Sequence, residues 1–270
     1  MNLAVEIENL TFFYPDGNKA LDGVSFVIPE RSKTVILGHN GAGKSTLLLH
    51  LNGLYTASRG RVKIFGKVIN EENIREIRKK VGLVFQDPDD QLFASTIFDD
   101  VAFGPQNLEL DKKEILRRVE EALKAVDMWD LRERPPHHLS LGQKKRAAIA
   151  GVLAMEPDIV VLDEPMAYLD PRGQEEITAI LNRLNNEGKT VIVSTHDLDW
   201  ALEWADYVVV LNAGRVVAEG DKSILTNRQL LEQNGLKAPL LVKLFEDFEG
   251  KLGIPTNLKE ARQILRKFIF

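Results

Sequence analysis

Apolar positions along this chain follow two rhythms. Five segments are almost unbroken runs of β-branched and other apolar residues: "KTVILG" (33–38), "VGLVF" (81–85), "DIVVLD" (158–163), "TVIVST" (190–195) and "YVVVLN" (207–212). Strands buried on both faces of a parallel sheet have this character. Three further segments, "AVEIENL", "VSFVI" and "RVKIFG", alternate apolar with polar positions and are divided by turn residues such as Asp16-Gly17. They predict an antiparallel part. Residues 114–126 put Ile115, Leu116, Val119, Ala122, Leu123 and Val126 on one helical face, opposite Glu, Lys and Arg. Residues 86–154 carry helical patterns but no buried-strand run, which predicts a helical insertion. After about residue 233 the pattern weakens. Leu240, Leu241, Leu244, Phe245 and Phe248 recur at roughly helical spacing, so 234–270 reads as a short helical extension. The fold class is α/β, with a mostly parallel sheet, an antiparallel β part and an inserted helical subdomain.

Composition narrows the function more than the fold. The 270 residues are 44% hydrophobic and 28% charged, and no apolar run reaches the ~18 residues of a membrane span. The opening "MNLAVEIENL" is not expected to be a secretory leader. Without cysteine the chain has neither disulfides nor thiolate metal sites. A net charge of −5 offers no general attraction for nucleic acid, and no nucleic-acid partner is expected. A cytosolic globular protein is the expectation.

The chemistry concentrates at strand ends. "GHNGAGKST" (38–46) follows a predicted strand and opens a predicted helix, the context of a phosphate-binding loop. Gly38, His39, Asn40, Gly41, Ala42 and Gly43 let main-chain amides approach phosphate oxygens, with Thr46 closing the loop. Lys44 would reach the β- and γ-phosphates, and Ser45 would offer its hydroxyl to Mg²⁺. "IVVLDE" ends an apolar run in two carboxylates: Asp163 can hold Mg²⁺ through water, and Glu164 can orient or deprotonate the attacking water. His196 closes the next run, and its strand is expected beside that of Asp163, at the γ-phosphate edge. His39, His50, His137 and His138 lack metal-ligand spacing and read as structural or exposed. Ser140 reads as an N-cap opening a helix, a ready anion site.

Taken in order, these elements resemble the ATP-binding-cassette ATPases over roughly residues 3–233: Tyr14, "GHNGAGKS", Gln86, "LSLGQ" (139–143), "IVVLDE", "AYLD" (167–170) and His196. The resemblance implies an ATPase domain over 1–233, with ATP and Mg²⁺ bound. Tyr14 would stack on adenine, Gln86 would reach Mg²⁺ or the attacking water, and Lys44, Gln86, Glu164 and His196 would carry hydrolysis. It also implies that Ser140, Gly142 and Gln143 cap the γ-phosphate of ATP held by a second subunit, closed head to tail. Leu141 departs from the glycine usual at that position and must turn away from the phosphate.

Two stretches, "VFQDPDDQLFASTIFDDVAFGP" (84–105) and "PPHHLSLGQKKRAAIAGVLAMEP" (135–157), are similar to ATPase subunits of energy-coupling-factor importers, especially the cobalt/nickel branch. The implied partners are a second ATPase subunit (identical or related), a transmembrane coupling protein and a substrate-capture membrane protein. The chain would then be peripheral, on the cytoplasmic face of the membrane. Asp89, Asp90, Leu92 and Phe93 would border the groove that receives a cytoplasmic helix of the coupling protein. The tail would supply a second dimer contact. An importer for a vitamin or other substrate is the alternative. An ATPase acting on DNA fits less well, because such relatives insert long coiled coils or zinc modules, and this insertion shows neither sustained heptads nor cysteine.

Overall fold

The computed structural model describes residues 2–246 and 253–269, so Phe248 lies outside the described residues, as do the side chains of 267–270. The alternating segments pair in a four-stranded sheet. Its strand β1 (Leu3–Phe13) runs antiparallel to both β2 (Lys19–Pro29) and β4 (Arg59–Ile64), and β5 (Lys67–Val68) extends the β4 edge. One face is apolar: Val5, Ile7, Phe26, Ile28, Val62 and Ile64 are buried in one cluster with Leu47, Leu48 and Leu51 of α1 (Lys44–Leu51).

The unbroken runs form the second sheet. Strands β3 (Lys33–Leu37), β6 (Val81–Val84), β7 (Ile159–Asp163), β8 (Thr190–Thr195) and β9 (Tyr207–Asn212) are mutually parallel in the order β9-β3-β8-β7-β6. Strand β10 (Arg215–Asp221) adds antiparallel to β9 at the edge. Every residue of β7 and β8 is buried, which is why their sequences show no polar alternation. The period of two still operates. Ile159, Val161 and Ile192 join the cluster under the antiparallel sheet, while Val160, Leu162, Val191 and Val193 join a second cluster under helices.

Between β6 and β7 the chain builds α3 (Ile97–Asn107), α4 (Lys112–Ala125) and α5 (Leu141–Leu153), the expected insertion, after the short α2 (Ile74–Lys80). Thr96, Asp111 and Ser140 cap the three helices by accepting backbone N–H bonds. On α4, Val119, Ala122, Leu123 and the following Val126 are buried, but Leu116 is 49% exposed. It stands at the margin of the stripe, about 60° round from Val119 at 3.6 residues per turn, so the expected face is narrower than the sequence pattern. Helices α6 (Pro171–Asn186) and α7 (Leu198–Trp204) follow β7 and β8, then α8 (Arg228–Gln233), α9 (Leu240–Phe245) and α10 (Leu258–Ile269) close the chain. On α9, Val242 and Phe245 are buried, while Leu240 and Leu244 face outward.

The register aligns three strand ends. Leu37 pairs with Thr195, and Asp163 pairs with Ser194. Gly38, Glu164 and His196 therefore leave the sheet at one carboxyl edge, where open α/β sheets bind ligands.

Candidate functional site

The loop from β3 into α1 needs its glycines. Gly41 and Gly43 have φ of +82° and +101°, in the left-handed region that favours glycine. A Cβ on Gly38 would lie 2.5 Å from the Leu211 carbonyl oxygen, and one on Gly43 would lie 2.8 Å from that of Ala20. Lys44 opens α1 with its side chain 6% exposed. Its Nζ donates to the Gly38 carbonyl at 2.8 Å and stands 3.3 Å from Glu164 Oε1.

Strand β7 delivers the two carboxylates differently. Asp163 accepts a hydrogen bond from the Ser194 hydroxyl of β8. Glu164 lies one residue beyond the strand at φ +43°, and its N–H donates to both Ser194 O and Ser194 Oγ at 3.1 Å. Its carboxylate oxygens are each 3.1 Å from His196 Nδ1. The Glu164 side chain is 9% exposed, held between an ammonium and an imidazole. Behind it, Lys145 of α5 is 4% exposed and donates from Nζ to the Glu164 carbonyl oxygen at 3.1 Å. Burial pulls the Lys145 ammonium below its ordinary pKa, against the opposing charges of Glu164, Asp87 and Asp163.

A cleft of about 950 Å³ runs from Tyr14 past Gly41, Gly43, Lys44, Ser45 and Thr46 to Gln86, Glu164 and His196. The Tyr14 hydroxyl bonds the Thr46 hydroxyl at 2.7 Å, and its ring meets that of Phe12 edge-on at 5.3 Å. A second cavity of about 510 Å³ shares Ser45 and Gln86 with the first and adds Asp163, Leu141 and Lys145. Ser45, Gln86 and Asp163 thus border one space with a hydroxyl, an amide and a carboxylate, oxygen donors that suit a small hard cation. No cluster of three His, Cys, Asp or Glu suited to a metal exists among the described residues. A cation here would therefore complete its coordination with water or with oxygens of the bound substrate.

Several predicted residues stand apart from the cleft. Gly38 and Ala42 are buried behind the loop. The His39 ring is engaged at both nitrogens, Nδ1 with Asn40 O at 2.7 Å and Nε2 with Asn212 Oδ1 at 3.0 Å. Ser140, Gly142 and Gln143 do not line the cleft. They open α5 in a capping box: Gln143 N–H donates to Ser140 Oγ at 3.3 Å, and Ser140 N–H donates to Gln143 Oε1 at 3.0 Å. Leu141 is half-buried and lines the second cavity. His50 is buried, donating from Nδ1 to the Thr46 carbonyl at 2.7 Å while Nε2 has no partner. His137 and His138 are exposed.

Sequence reasoning did not single out Ser194 or Lys145. A lone serine inside an apolar run was the signal for the first; the second was hidden in a basic triplet. On the helical layer, Asp89 is paired with Lys144 at 2.6 Å, Asp90 is exposed, and Phe93, 68% exposed, packs edge-on against Phe103 with ring centroids 5.0 Å apart.

The ABC transporter family profile matches residues 21–167. The energy-coupling factor transporter ATP-binding protein EcfA of Methanocaldococcus jannaschii is 48% identical over 254 residues, covering 93% of this chain and 91% of the relative. The cobalt import ATP-binding protein CbiO of Rhodobacter capsulatus is 49% identical over 240 residues, 88% of this chain and 86% of its own. Among solved structures, CbiO1 from Clostridium perfringens, described as part of the ABC transporter complex CbiONQ, is similar with a TM-score of 0.78 at 41% identity. That match covers 91% of this chain and 100% of the other.

Proposed function

The chain belongs to the ABC transporter family as an ATP-hydrolysing cassette, and on that premise we propose that it is the ATPase subunit of an energy-coupling-factor importer for cobalt or nickel ions. The observation that carries the catalytic reading is the convergence of Lys44, Glu164 and His196 at one strand edge, within one cleft. Tyr14 stacks on adenine, residues 38–46 wrap the phosphates, and Lys44 transfers its charge from Glu164 to the triphosphate. Ser45, Gln86 and Asp163 would hold Mg²⁺, which screens phosphate charge when bound. Glu164, released from Lys44, orients and deprotonates the attacking water, with His196 beside it. Residues 1–233 form this ATPase unit, and 234–270 are its extension.

Because Ser140, Gly142 and Gln143 open a helix away from their own cleft, they are free to cap ATP held by a second ATPase subunit, identical or related. No helix among the described residues is long and apolar enough to cross a membrane. In this reading the chain sits at the cytoplasmic face and works through a transmembrane coupling protein and a substrate-capture protein. The metal assignment leans on the similarity to the cobalt import protein CbiO, and choice of cargo falls to the capture protein. Coexpression with a coupling protein and a capture protein of such an importer, followed by ATP-driven uptake of radioactive cobalt into vesicles, tests this. Uptake of a vitamin instead would keep the transport role and change the cargo. DNA-stimulated ATPase activity without uptake would overturn it.

A further inference from the structure

Three basic residues follow one another on α5, and the middle one is the most deeply buried. Lys144 and Arg146 lie partly covered beside it, each in an ion pair, Lys144 with Asp89 and Arg146 with Glu176 at 2.9 Å. Lys145 is buried, with its Nζ on the main-chain carbonyl of Glu164. A lysine this deep is costly to keep unless its charge is compensated, and a simple apolar contact at this position would be served by leucine or methionine. The group it holds is under strain. Glu164 has φ +43°, a region that residues with a Cβ occupy rarely and only when their surroundings enforce it.

Enforcement comes from both ends of the residue. Ser194 O and Oγ receive its N–H, and Lys145 Nζ donates to its C=O. If φ relaxed toward the ordinary negative range, the Cα–Cβ bond would swing, and the carboxylate would leave its position between Lys44 and His196. We propose that Lys145 is a positioning residue for ATP hydrolysis, its ammonium clamping the Glu164 carbonyl so that the carboxylate faces the reacting phosphate. The proposal rests on the reading of Glu164 as the base. It also makes α5 serve two sites: its first turn presents Ser140 outward, and five residues later the same helix grips its own chain's Glu164.

The test compares full-length Lys145→Met, Lys145→Gln and Glu164→Gln in steady-state ATP hydrolysis. Methionine fills the space without donating, so kcat should fall about tenfold or more while KM for ATP stays within twofold. Glutamine keeps a donor and should recover most of kcat. Native turnover by Lys145→Met, loss expressed in KM rather than kcat, or a glutamine variant no better than methionine would each overturn the clamp. Glu164→Gln separates the two readings: if it hydrolyses ATP at the native rate, the base assignment itself fails, whatever Lys145 does. Should the methionine variant not fold, Lys145→Ala decides instead. The second cavity borders Lys145, so added propylammonium should restore kcat to the alanine variant, and no restoration refutes the clamp.

Discussion

Lys44 Nζ and Glu164 Oε1 stand 3.3 Å apart, with both side chains almost fully covered. The cation proposed for the triphosphate and the carboxylate proposed for water neutralise one another before nucleotide arrives. A buried carboxylate stripped of its cation is strongly disfavoured, so the two charges compensate one another within the cleft. Incoming phosphate would compete with Glu164 for the same ammonium. On the proposed mechanism, binding and exposure of the base would be one event.

Removing either partner should separate binding from chemistry. Lys44→Ala is expected to weaken ATP binding at least tenfold by isothermal titration calorimetry. Glu164→Gln should retain binding, lose more than a hundredfold in turnover, and accumulate an ATP-bound dimer on gel filtration. A Glu164→Gln protein that stays monomeric with ATP and Mg²⁺ would refute the closed-dimer reading.

Leu141 is half-buried and lines the second cavity, so its side chain need not crowd a phosphate at the start of α5. Leu141→Gly should change turnover less than tenfold, under about 1.4 kcal/mol in barrier. Ser140→Arg, placing bulk and positive charge at the proposed cap, should block ATP-dependent dimerisation. A large gain from the glycine variant would show that the native leucine impairs the cap.

Thermal stability should depend on His50 at mildly acid pH. Burial holds its pKa below the usual 6.5, opposed by the hydrogen bond to Thr46. Between that lowered value and 6.5 the unfolded chain binds a proton that the folded chain excludes. His50 therefore contributes stability that is fully present above about pH 6.5 and lost as pH falls through 6.5 toward the folded value. His50→Phe, whose ring suits the aromatic contacts with Phe12 and Tyr55, should flatten the fall in melting temperature between pH 7.5 and 5. An unchanged slope by differential scanning fluorimetry would move the effect to other groups.

Coupling to the proposed membrane partners is tested most directly at the exposed aromatic pair. Phe93→Ser with Phe103→Ser should leave isolated ATPase activity within twofold and reduce assembly with the membrane proteins about tenfold or more. Asp89→Lys with Asp90→Lys should impair assembly in the same pull-down, because the resemblance to energy-coupling-factor importers implies a coupling helix that presents arginine, which would meet repulsion. Normal assembly and uptake by both double variants would put the docking surface elsewhere.

The buried parallel strands were legible because each had to be apolar on both faces, and the antiparallel strands because one face alternated. Strand β10 was not, since "RVVAEGD" is a partly exposed edge strand whose pairing depends on β9 rather than on its own pattern. Leu116 fitted the helical period, yet only packing decides how wide a stripe is covered. At the site, "GHNGAGKST", "IVVLDE" and His196 could be brought together by expecting their strands to be neighbours. The Lys44–Glu164 pair could not, because it depends on side-chain torsions that no sequence pattern records. Lys145 was equally hidden: nothing in "KKR" marks which member reaches the main chain of Glu164.

Strand β3, which delivers the phosphate loop, has no hydrogen-bonded neighbour near it in the chain. Its partners are β8 and β9, and Leu37 must wait for Thr195 and Val210. On a ribosome adding about 5–20 residues per second, that wait is on the order of ten to thirty seconds, with two apolar strand edges open throughout. The nascent loop cannot acquire its shape during that interval, however strong its local turn preferences. Synthesis of this protein should accordingly lean on chaperone capture of the unfinished chain, and truncation anywhere before β9 should yield insoluble product rather than a smaller nucleotide-binding unit.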